Sequence, residues 1–330
     1  MSPLPFPLPR RGLLAAGAAA ALGAAPRRSH AAAWPSRDIT FIVPYGPGGS
    51  TDPISRAFCA QLEKILGVNI AVENKPGGAA TIGTGTVIRA RPDGHTIGLG
   101  SNSSLMFQPL INQGLAWSSA DDFTSVVKLV DLPAVLAVRA DAPWRNFEEF
   151  MAHVRANPRR VRASVSGLRT MPDLTIQQLN RKANVQISTV PFTGGGGEAL
   201  LALLGGRVEA NCGYGPSVRG QVEAGKVRVL AVFQRGRYEM FPDAASSVEA
   251  GYDVTLPAAY YVIAPKGLPA EVQEKLTRTS REAVATPEFI AFARNNGYTL
   301  DPKVGDAMKA ELVEYHDTFR ELLAFLNQRS

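Results

Sequence analysis

Residues 44–52 combine two prolines, three glycines and three small polar side chains, a composition suited to binding an anion. Gly46, Gly48 and Gly49 allow a ligand to approach the backbone closely, because they carry no side chain. If a helix follows, several backbone N–H groups point into one small space at its positive end, and such a space binds anions. The alternative is a tight turn between a strand and a helix that binds nothing.

Asp52 is the only charged residue of this turn, and two roles are open for it. Its carboxylate can cap the following helix, or it can face a cleft and select ligands that also carry an amino or hydroxyl group. Because Pro53 suits the first turn of a helix, the sequence favours the cap.

Two further strand ends carry small or polar residues. Residues 77–79 follow the predicted strand Val68–Val72, and Ser101 and Asn102 follow the predicted strand His95–Gly100. With the strand Ile39–Val43, this makes three successive apolar runs that end in such loops. The carboxyl edge of an open parallel sheet is where ligands bind, so we expect these loops to meet there.

The pattern restarts in the second half of the chain. Ser166 and Gly167 follow a predicted strand, and residues 190–196 repeat the valine, proline, aromatic residue and paired glycines of residues 43–49. Two such turns, one in each half, can face each other across a cleft and hold a ligand from both sides. Chance similarity of two turns is the alternative.

The sequence lacks the residue patterns of metal sites, nucleotide-binding loops and hydrolase active sites. Outside the first 33 residues, the histidines are single, and neither Cys59 nor Cys212 has the spacing of metal ligands. The glycine loops lack the lysine of a phosphate-binding loop, and no serine has the flanking glycines of a nucleophile elbow. The sequence therefore predicts no metal, no cofactor and no catalytic residue. A secreted α/β enzyme acting on a small carboxylic acid is the competing hypothesis.

The first 33 residues are predicted to be an export signal. They contain no acid, begin with a basic segment at Arg10 and Arg11, and continue through an alanine-rich apolar stretch that is too short to span a membrane. Both the general secretory and the twin-arginine routes fit. Without this segment, 31 basic residues face 29 acidic ones, so the charge does not indicate nucleic-acid binding. The two cysteines are expected to be separate buried thiols rather than a disulfide.

The order of predicted elements indicates two α/β lobes joined by a hinge. We expect the first lobe to comprise residues 34–138 and the second residues 139–258, with residues 259–330 returning to the first lobe as a mainly helical segment.

Several motifs together resemble a known family. In chain order they are residues 43–52, Glu73–Gly78, Pro92–Thr96, Val190–Gly195, Leu204–Glu209, Val229–Val232, Glu249–Tyr252 and Ala264–Pro265. This ordered set resembles the Bug family, the extracytoplasmic solute receptors of tripartite tricarboxylate transporters. The resemblance covers essentially the whole chain after the predicted signal.

The resemblance implies a periplasmic-binding-protein fold, in which two doubly wound lobes close on a small carboxylate. It also implies membrane transporter subunits as partners and no catalysis. With the predicted export signal, we expect a periplasmic protein, and we expect it to be a monomer. Carried over by position, the ligand-binding residues of the first lobe are Tyr45, Gly48, Gly49, Ser50, Thr51, Asp52, Gly77, Gly78, Ala79, Ser101 and Asn102. Those of the second lobe are Ser166, Gly167, Phe192, Thr193, Gly194 and Gly195.

The sequence also departs from the family pattern in the second lobe and beside it. Thr193 stands where lysine is frequent, and Pro172 and Asp173 stand where a histidine is common. Ala245 and Ser246 replace a usual Pro-Thr pair, and Tyr260 and Tyr261 lie where a tryptophan is usual.

Overall fold

The computed structural model describes residues 34–327, so the predicted export signal lies outside the described residues. The first sheet has five strands in the order β2-β1-β3-β11-β4. Their bounds are β1 Ile39–Val43, β2 Ile70–Asn74, β3 Thr96–Ser101, β4 Phe123–Leu132 and β11 Ala258–Pro265. Strands β1, β2 and β3 are parallel, and β11 runs antiparallel to both of its neighbours.

The second sheet has six strands in the order β10-β9-β5-β8-β6-β7. They are β5 Ala134–Arg139, β6 Arg162–Val165, β7 Ser188–Pro191, β8 Ala210–Tyr214, β9 Val227–Val232 and β10 Ala245–Ser246. Strand β5 is antiparallel to β8 and β9, and the other pairs are parallel. Each sheet therefore carries a set of parallel strands and one strand of opposite direction, in the two-lobed arrangement expected from the sequence.

Helices connect the strands. They are α1 Thr51–Leu66, α2 Thr81–Ile88, α3 Gln108–Ile111, α4 Phe147–Ala156, α5 Met171–Ala183, α6 Gly196–Leu204, α7 Gly215–Glu223, α8 Ala270–Val284, α9 Pro287–Asn295 and α10 Gly305–Asn327. A 3₁₀ turn at Gly78–Ala80 precedes α2, and a π-helical turn at Ser103–Phe107 precedes α3. Among residues 34–327, no helix is long and apolar enough to cross a membrane.

The chain changes sheets earlier than the sequence suggested. The crossing falls between Leu132, the last residue of β4, and Ala134, the first residue of β5, whereas the predicted boundary followed Val138. Both strands are buried apolar runs, so their patterns look alike. Only strand pairing distinguishes them, because Val135 lies opposite residues of the second sheet.

The interior of the first lobe forms as the sequence pattern predicts. Ile54, Phe58 and Leu62 of α1 are fully buried at helical spacing, and the ring of Phe58 lies 6.0 Å from that of Phe41. Gly67 ends α1 in the left-handed conformation, and its N–H donates to the carbonyl of Glu63. The helix is thus fixed behind the turn at residues 44–50.

The predicted helix at residues 147–156 is confirmed, and α5 begins two residues earlier than predicted. The reason is Pro172, which lies in the first turn of α5, where a missing N–H costs nothing. Cys59 and Cys212 are both buried and free, as expected.

Candidate functional site

The carboxyl ends of five parallel strands, β1 and β3 in the first sheet and β6, β7 and β8 in the second, lie around one cavity. In the first sheet, β2 and β3 lie on opposite sides of β1, and in the second sheet β7 and β8 lie on opposite sides of β6. Connections that leave a strand in opposite directions open a crevice at its carboxyl end, and ligands bind there in α/β sheets. The cavity lies beside the carboxyl ends of β1 in the first lobe and β6 in the second. The sequence predicted such a meeting of strand ends.

The cavity is lined by hydroxyls, glycines and one methionine. Its lining residues are Tyr45, Gly49, Ser50, Thr51, Ser101, Ser103, Ser166, Met171, Gly196, Tyr214 and Tyr260. Its volume is about 20 Å³ when only the space open to the centre of a water molecule is counted. Because a single water needs roughly 10–15 Å³ by this measure, the space suits a group of a few atoms.

Hydroxyl groups are linked to one another along the cavity wall. The Ser50 Oγ lies 3.1 Å from the Tyr260 hydroxyl, and the Ser101 Oγ lies 3.2 Å from the Ser103 Oγ. Tyr260 extends this contact to the second lobe, because its ring meets that of Tyr214 edge to face at 6.3 Å between centroids. Hydroxyls both donate and accept hydrogen bonds, so this wall can turn donors toward an anion.

Burial keeps the phenols of this wall protonated. Burial raises the pKa of Tyr45, and hydrogen bonds from the hydroxyls of Ser101 and Ser103 offset only part of that rise. Burial likewise raises the pKa values of Tyr214 and Tyr260. All three side chains are therefore neutral donors at neutral pH.

Four helices begin at the cavity. Thr51, Met171 and Gly196 are the first residues of α1, α5 and α6, and Tyr214 is the N-cap residue of α7. None of these four helices has a side-chain N-cap hydrogen bond, whereas Asn146 caps α4 in the usual way. Uncapped N–H groups at a helix start carry partial positive charge. The cavity is therefore suited to an anion, although no cationic side chain among residues 34–327 lines it.

The two repeated glycine turns lie face to face, as the sequence suggested. A β-carbon placed on Gly46 would lie 2.5 Å from the carbonyl oxygen of Gly194, and one on Gly49 would lie 3.8 Å from the nitrogen of Gly196. Gly48 and Gly195 also lie at this junction, opposite Gly197 and Tyr45 respectively. The loops thus touch each other directly, and the cavity lies beside their contact.

A second, larger pocket shares Tyr45 and Ser166 with the cavity. Its volume, measured in the same way, is about 480 Å³. The predicted site residues that line this outer pocket but not the cavity are Gly77, Gly78, Ala79, Gly167 and Thr193. Asp173 fixes its second-lobe loop, since its buried carboxylate accepts a 2.7 Å hydrogen bond from the N–H of Arg169.

Three predicted site residues have other contacts. The prediction that Asp52 caps α1 is wrong, because Ser50 is the N-cap residue and the Asp52 carboxylate accepts hydrogen bonds from Arg56 and Asn74. The Asn102 side chain bonds the backbone of Pro257 and Ala259 at the start of β11. Phe192 packs against the core of the second lobe. None of the three lines either pocket.

Sequence reasoning missed five residues of the cavity wall, namely Ser103, Met171, Gly196, Tyr214 and Tyr260. Tyr214 is the last residue of β8, a strand predicted to end two residues earlier, so a longer strand would have revealed it. Tyr260 reaches the site because it pairs with Ser101 across two antiparallel strands. Nothing local in the sequence signals that pairing.

Metal chemistry finds no support in the described part of the chain. Within residues 34–327, no group of three or more histidine, cysteine, aspartate or glutamate side chains could hold a metal ion.

Known proteins are similar to this chain in sequence and architecture. A family model described as "Tripartite tricarboxylate transporter family receptor" (TctC) matches residues 54–314. A UPF0065 protein of Bordetella pertussis is 33% identical over 294 residues, which cover 89% of each protein.

Two solved structures from Rhodopseudomonas palustris extend the comparison. Rpa4515 with adipate has a TM-score of 0.83 at 25% identity, covering 88% of this chain and 97% of that one. MatC with bound malate has a TM-score of 0.80 at 26% identity, covering 88% and 99%. Receptors of this family bind solutes in the periplasm and catalyse no reaction. Fold, cavity and comparisons agree, and the chain belongs to the TctC family of tripartite tricarboxylate transporter receptors.

Proposed function

We propose that the protein captures a small carboxylate between its lobes and delivers it to the membrane subunits of a tripartite tricarboxylate transporter. One observation carries this proposal: four helices begin, without side-chain caps, at a small cavity lined by neutral hydroxyls. Each helix start is equivalent to roughly half a positive charge, so their sum favours a negative ligand group.

The chemistry of the wall favours a carboxylate over a cation. Within the described range 34–327, the residues that line the cavity include no aspartate, glutamate, lysine, arginine or histidine. A cation would meet four positive helix ends with no carboxylate to compensate, whereas a carboxylate would meet hydroxyl and N–H donors. Hydrogen bonds to a charged group each contribute about 1.5–3 kcal/mol, so a few of them suffice for micromolar affinity. The adipate- and malate-bound relatives support the same class of ligand.

The proposed ligand contacts refine the predicted set. The head group contacts the cavity residues Tyr45, Gly49, Ser50, Thr51, Ser101 and Ser166, to which Ser103, Tyr214 and Tyr260 are added. The remainder of the ligand contacts the outer pocket at Gly77, Gly78, Ala79, Gly167 and Thr193. Gly48, Gly194 and Gly195 act in lobe closure, since they lie where the two glycine turns meet.

The predicted signal at residues 1–33 supports export of this chain to the periplasm. There the protein acts as a monomer, because a receptor that closes around its ligand needs no second copy to complete the site.

Native mass spectrometry of the exported form against a panel of carboxylates tests the proposal. We expect a one-to-one adduct that persists without turnover. In the Gly49→Val variant, the branched side chain fills the space beside Gly196, so binding should weaken by about a hundredfold, equivalent to losing one or two charged hydrogen bonds.

Gly220→Val is the matched control, because a β-carbon on Gly220 meets nothing within 4 Å. Gly220→Val carries the same glycine-to-valine change at a position that lines neither pocket. It should bind carboxylates as tightly as the wild type does. Absence of any carboxylate adduct in the wild type, or undiminished binding in a folded Gly49→Val protein, would contradict the proposal.

A further inference from the structure

Two side chains of the second lobe bind the end of a first-lobe helix. Helix α9 belongs to the first lobe, because it packs against α1. Arg219, on α7 of the second lobe, donates a hydrogen bond to the carbonyl of Asn295, the last residue of α9. Tyr238 donates to the carbonyl of Gly297, two residues further along the chain. All four residues line a groove of about 870 Å³ that is separate from the cavity and the outer pocket.

Each of these donors is suited to its acceptor. The last carbonyls of a helix have no partner within the helix and carry partial negative charge, so the guanidinium of Arg219 is a favourable partner for the end of α9. Glu223, one turn further along α7, accepts a 2.7 Å hydrogen bond from Arg219 Nε and thereby orients the guanidinium. Burial raises the pKa of Tyr238, so its phenol stays a neutral donor.

The Tyr238 side chain fits between the two lobes. Its hydroxyl lies against Gly215, the first residue of α7, where an added β-carbon would lie 2.9 Å away. A β-carbon on Gly297, in the other lobe, would overlap the same hydroxyl, and Met240 lies against both glycines. Glycine at these two positions therefore leaves the room that Tyr238 and Met240 need to reach the first lobe.

The contact between the lobes is attached to the ligand cavity on both sides. Tyr298, the next residue after Gly297, donates a 2.5 Å hydrogen bond to the carbonyl of Ser50. Ser50 lines the cavity and is the N-cap residue of α1. In the second lobe, α7 begins at the cavity beside Tyr214 and carries Arg219. Breaking the contact therefore separates the lobes at a point that is connected to both walls of the cavity.

We propose that Arg219 and Tyr238 form a latch that holds the ligand-bound receptor closed, with the carbonyls of Asn295 and Gly297 as acceptors. The two side chains are positioning residues, because they lie outside the cavity and act by keeping its walls together. This inference rests on the proposed function, because it assumes that the cavity holds a ligand between the lobes. A ligand escapes only after the lobes separate, so the latch sets how long a carboxylate is retained.

Surface plasmon resonance on the immobilised exported form of the protein tests the latch, with succinate and adipate as probes. Arg219→Gln and Tyr238→Phe should each raise the dissociation rate constant by about threefold to tenfold, as expected for the loss of one hydrogen bond. Association starts from the open form, so its rate constant should change by less than about twofold. The increase in dissociation should be equal for succinate and adipate, because the latch touches neither, whereas loss of a ligand contact would change their ratio.

Two further variants and one stability measurement make the test specific. Arg219→Lys keeps a positive charge at the end of α9 and should restore part of the retention. Arg294→Gln is the matched control and should change neither rate constant, because Arg294 is an exposed arginine of the same groove on the acceptor side of the latch. The urea midpoint of each unliganded variant should equal that of the wild type, because the open form does not make the latch contacts.

The outcomes distinguish the latch from the proposed function. If Arg219→Gln and Tyr238→Phe lower the urea midpoint and leave dissociation unchanged, the contacts are purely structural, and the latch is refuted while carboxylate capture stands. Unequal effects on succinate and adipate would also refute it, because they would place these residues in the ligand site. If neither probe binds the wild type, the latch and the proposed function fail together.

Discussion

At the residue scale, Asp52 shows that a carboxylate in the first turn of a helix can serve either of two roles. It lies in the first turn of α1, where a negative charge is favourable, but it binds side chains rather than the helix backbone. Arg56 donates two hydrogen bonds to it at 3.0 Å each, and Asn74 Nδ2 donates a third at 2.9 Å. Burial raises the pKa of Asp52, yet these hydrogen bonds outweigh it and hold the pKa below the usual range.

Substituting Asp52 by asparagine should therefore affect stability and leave ligand preference unchanged. Because the folded-state pKa is lowered, the carboxylate contributes stability above its unfolded pKa of about 4 and loses that contribution as the pH falls. Half of the Arg56 side chain is exposed, so the loss in Asp52→Asn should be only about 0.5–1 kcal/mol at pH 7. Chemical denaturation measures it. A changed preference between amino and non-amino carboxylates would contradict this role.

A second ionic cluster lies in the first lobe, next to the crossing between the lobes. Lys128 is buried and contacts Asp131 at 2.7 Å, Asp301 at 2.9 Å and Glu311 at 2.6 Å. With Lys303 the cluster has two positive and three negative groups. Burial, together with the charges of Glu311 and Asp301, raises the pKa of Asp131 to about 6 despite Lys128. Its Oδ1 is buried and has no hydrogen-bond partner in the part of the chain that the structure describes.

The raised pKa of Asp131 predicts a pH-dependent stability. The folded protein holds this proton up to about pH 6 and the unfolded chain only to about pH 4, so the stability contributed by Asp131 falls as the pH rises between them. In Asp131→Asn this dependence is removed. Relative to the wild type, the variant should gain about 2 kcal/mol in unfolding free energy between pH 4.5 and pH 7.5.

Urea denaturation of both proteins at the two pH values checks this expectation. Asp52→Asn is a useful comparison, because the pKa of Asp52 is lowered, so its contribution to stability is lost only below about pH 4 and should be nearly the same at both pH values. A difference between wild type and Asp131→Asn that is the same at both pH values would show that Asp131 is charged throughout.

At the scale of elements, the two glycine turns depend on the absence of side chains where they meet. Each turn follows a parallel strand and precedes a helix, β1 and α1 in the first lobe and β7 and α6 in the second. Gly46 has no left-handed φ, so its backbone accepts any residue, and only the carbonyl of Gly194 in the other lobe excludes a β-carbon. Its glycine is therefore required for closure and not for folding.

Gly46→Ala should consequently block closure in a protein of normal stability. The added β-carbon would lie 2.5 Å from the Gly194 oxygen, a distance that real β-carbons do not reach, so the turns have to separate. We expect carboxylate affinity to fall by about tenfold or more, because the second lobe no longer completes the cavity. Calorimetry measures the affinity and thermal unfolding measures the stability.

Gly220→Ala serves as the control, since open space surrounds that position. Gly194 and Gly195 are poorer choices for substitution. A β-carbon on Gly194 would contact Glu198 within its own lobe, and Gly195 has a left-handed φ of 93°. Unchanged affinity in a folded Gly46→Ala protein would mean that the turns need not touch when the ligand is bound.

At the scale of the two lobes, contacts other than the glycine turns also join them. Gln108 in the first lobe donates to the carbonyl of Arg169 in the second at 3.2 Å. Tyr238, which packs in the core of the second lobe, donates a 2.5 Å hydrogen bond to the carbonyl of Gly297. A ligand that contacts both lobes adds to these bonds and can shift the balance between an open and a closed form.

Ligand binding should therefore make the protein more compact. A ligand that contacts both lobes binds the closed form more tightly, and a change from mostly open to mostly closed needs roughly 5 kcal/mol of differential affinity. Small-angle X-ray scattering should show a smaller radius of gyration when a bound carboxylate is added to the wild type. Gly46→Ala should keep the larger value with and without ligand. Identical values for the wild type in both conditions would exclude closure of this kind.

Local patterns in the sequence were sufficient to predict much of the local structure of this protein. The strand-turn-helix units, the glycine end of α1 at Gly67 and the two buried thiols follow from periodicity, turn chemistry and residue size, which act between close neighbours in the chain. The repeat of residues 43–49 at 190–196 also predicted facing glycine turns, because similar units at equivalent strand ends occupy equivalent edges.

Tertiary structure alone decided which side chains meet. The hydroxyls of Ser50 and Tyr260 are in contact although 210 residues separate them, and Asp52 binds Asn74 from the neighbouring strand. The assignment of β5 to the second sheet likewise depends on its pairing with β8 and β9. Strand pairing is a non-local choice among strands with similar apolar patterns, so no single segment carries the information that selects one partner.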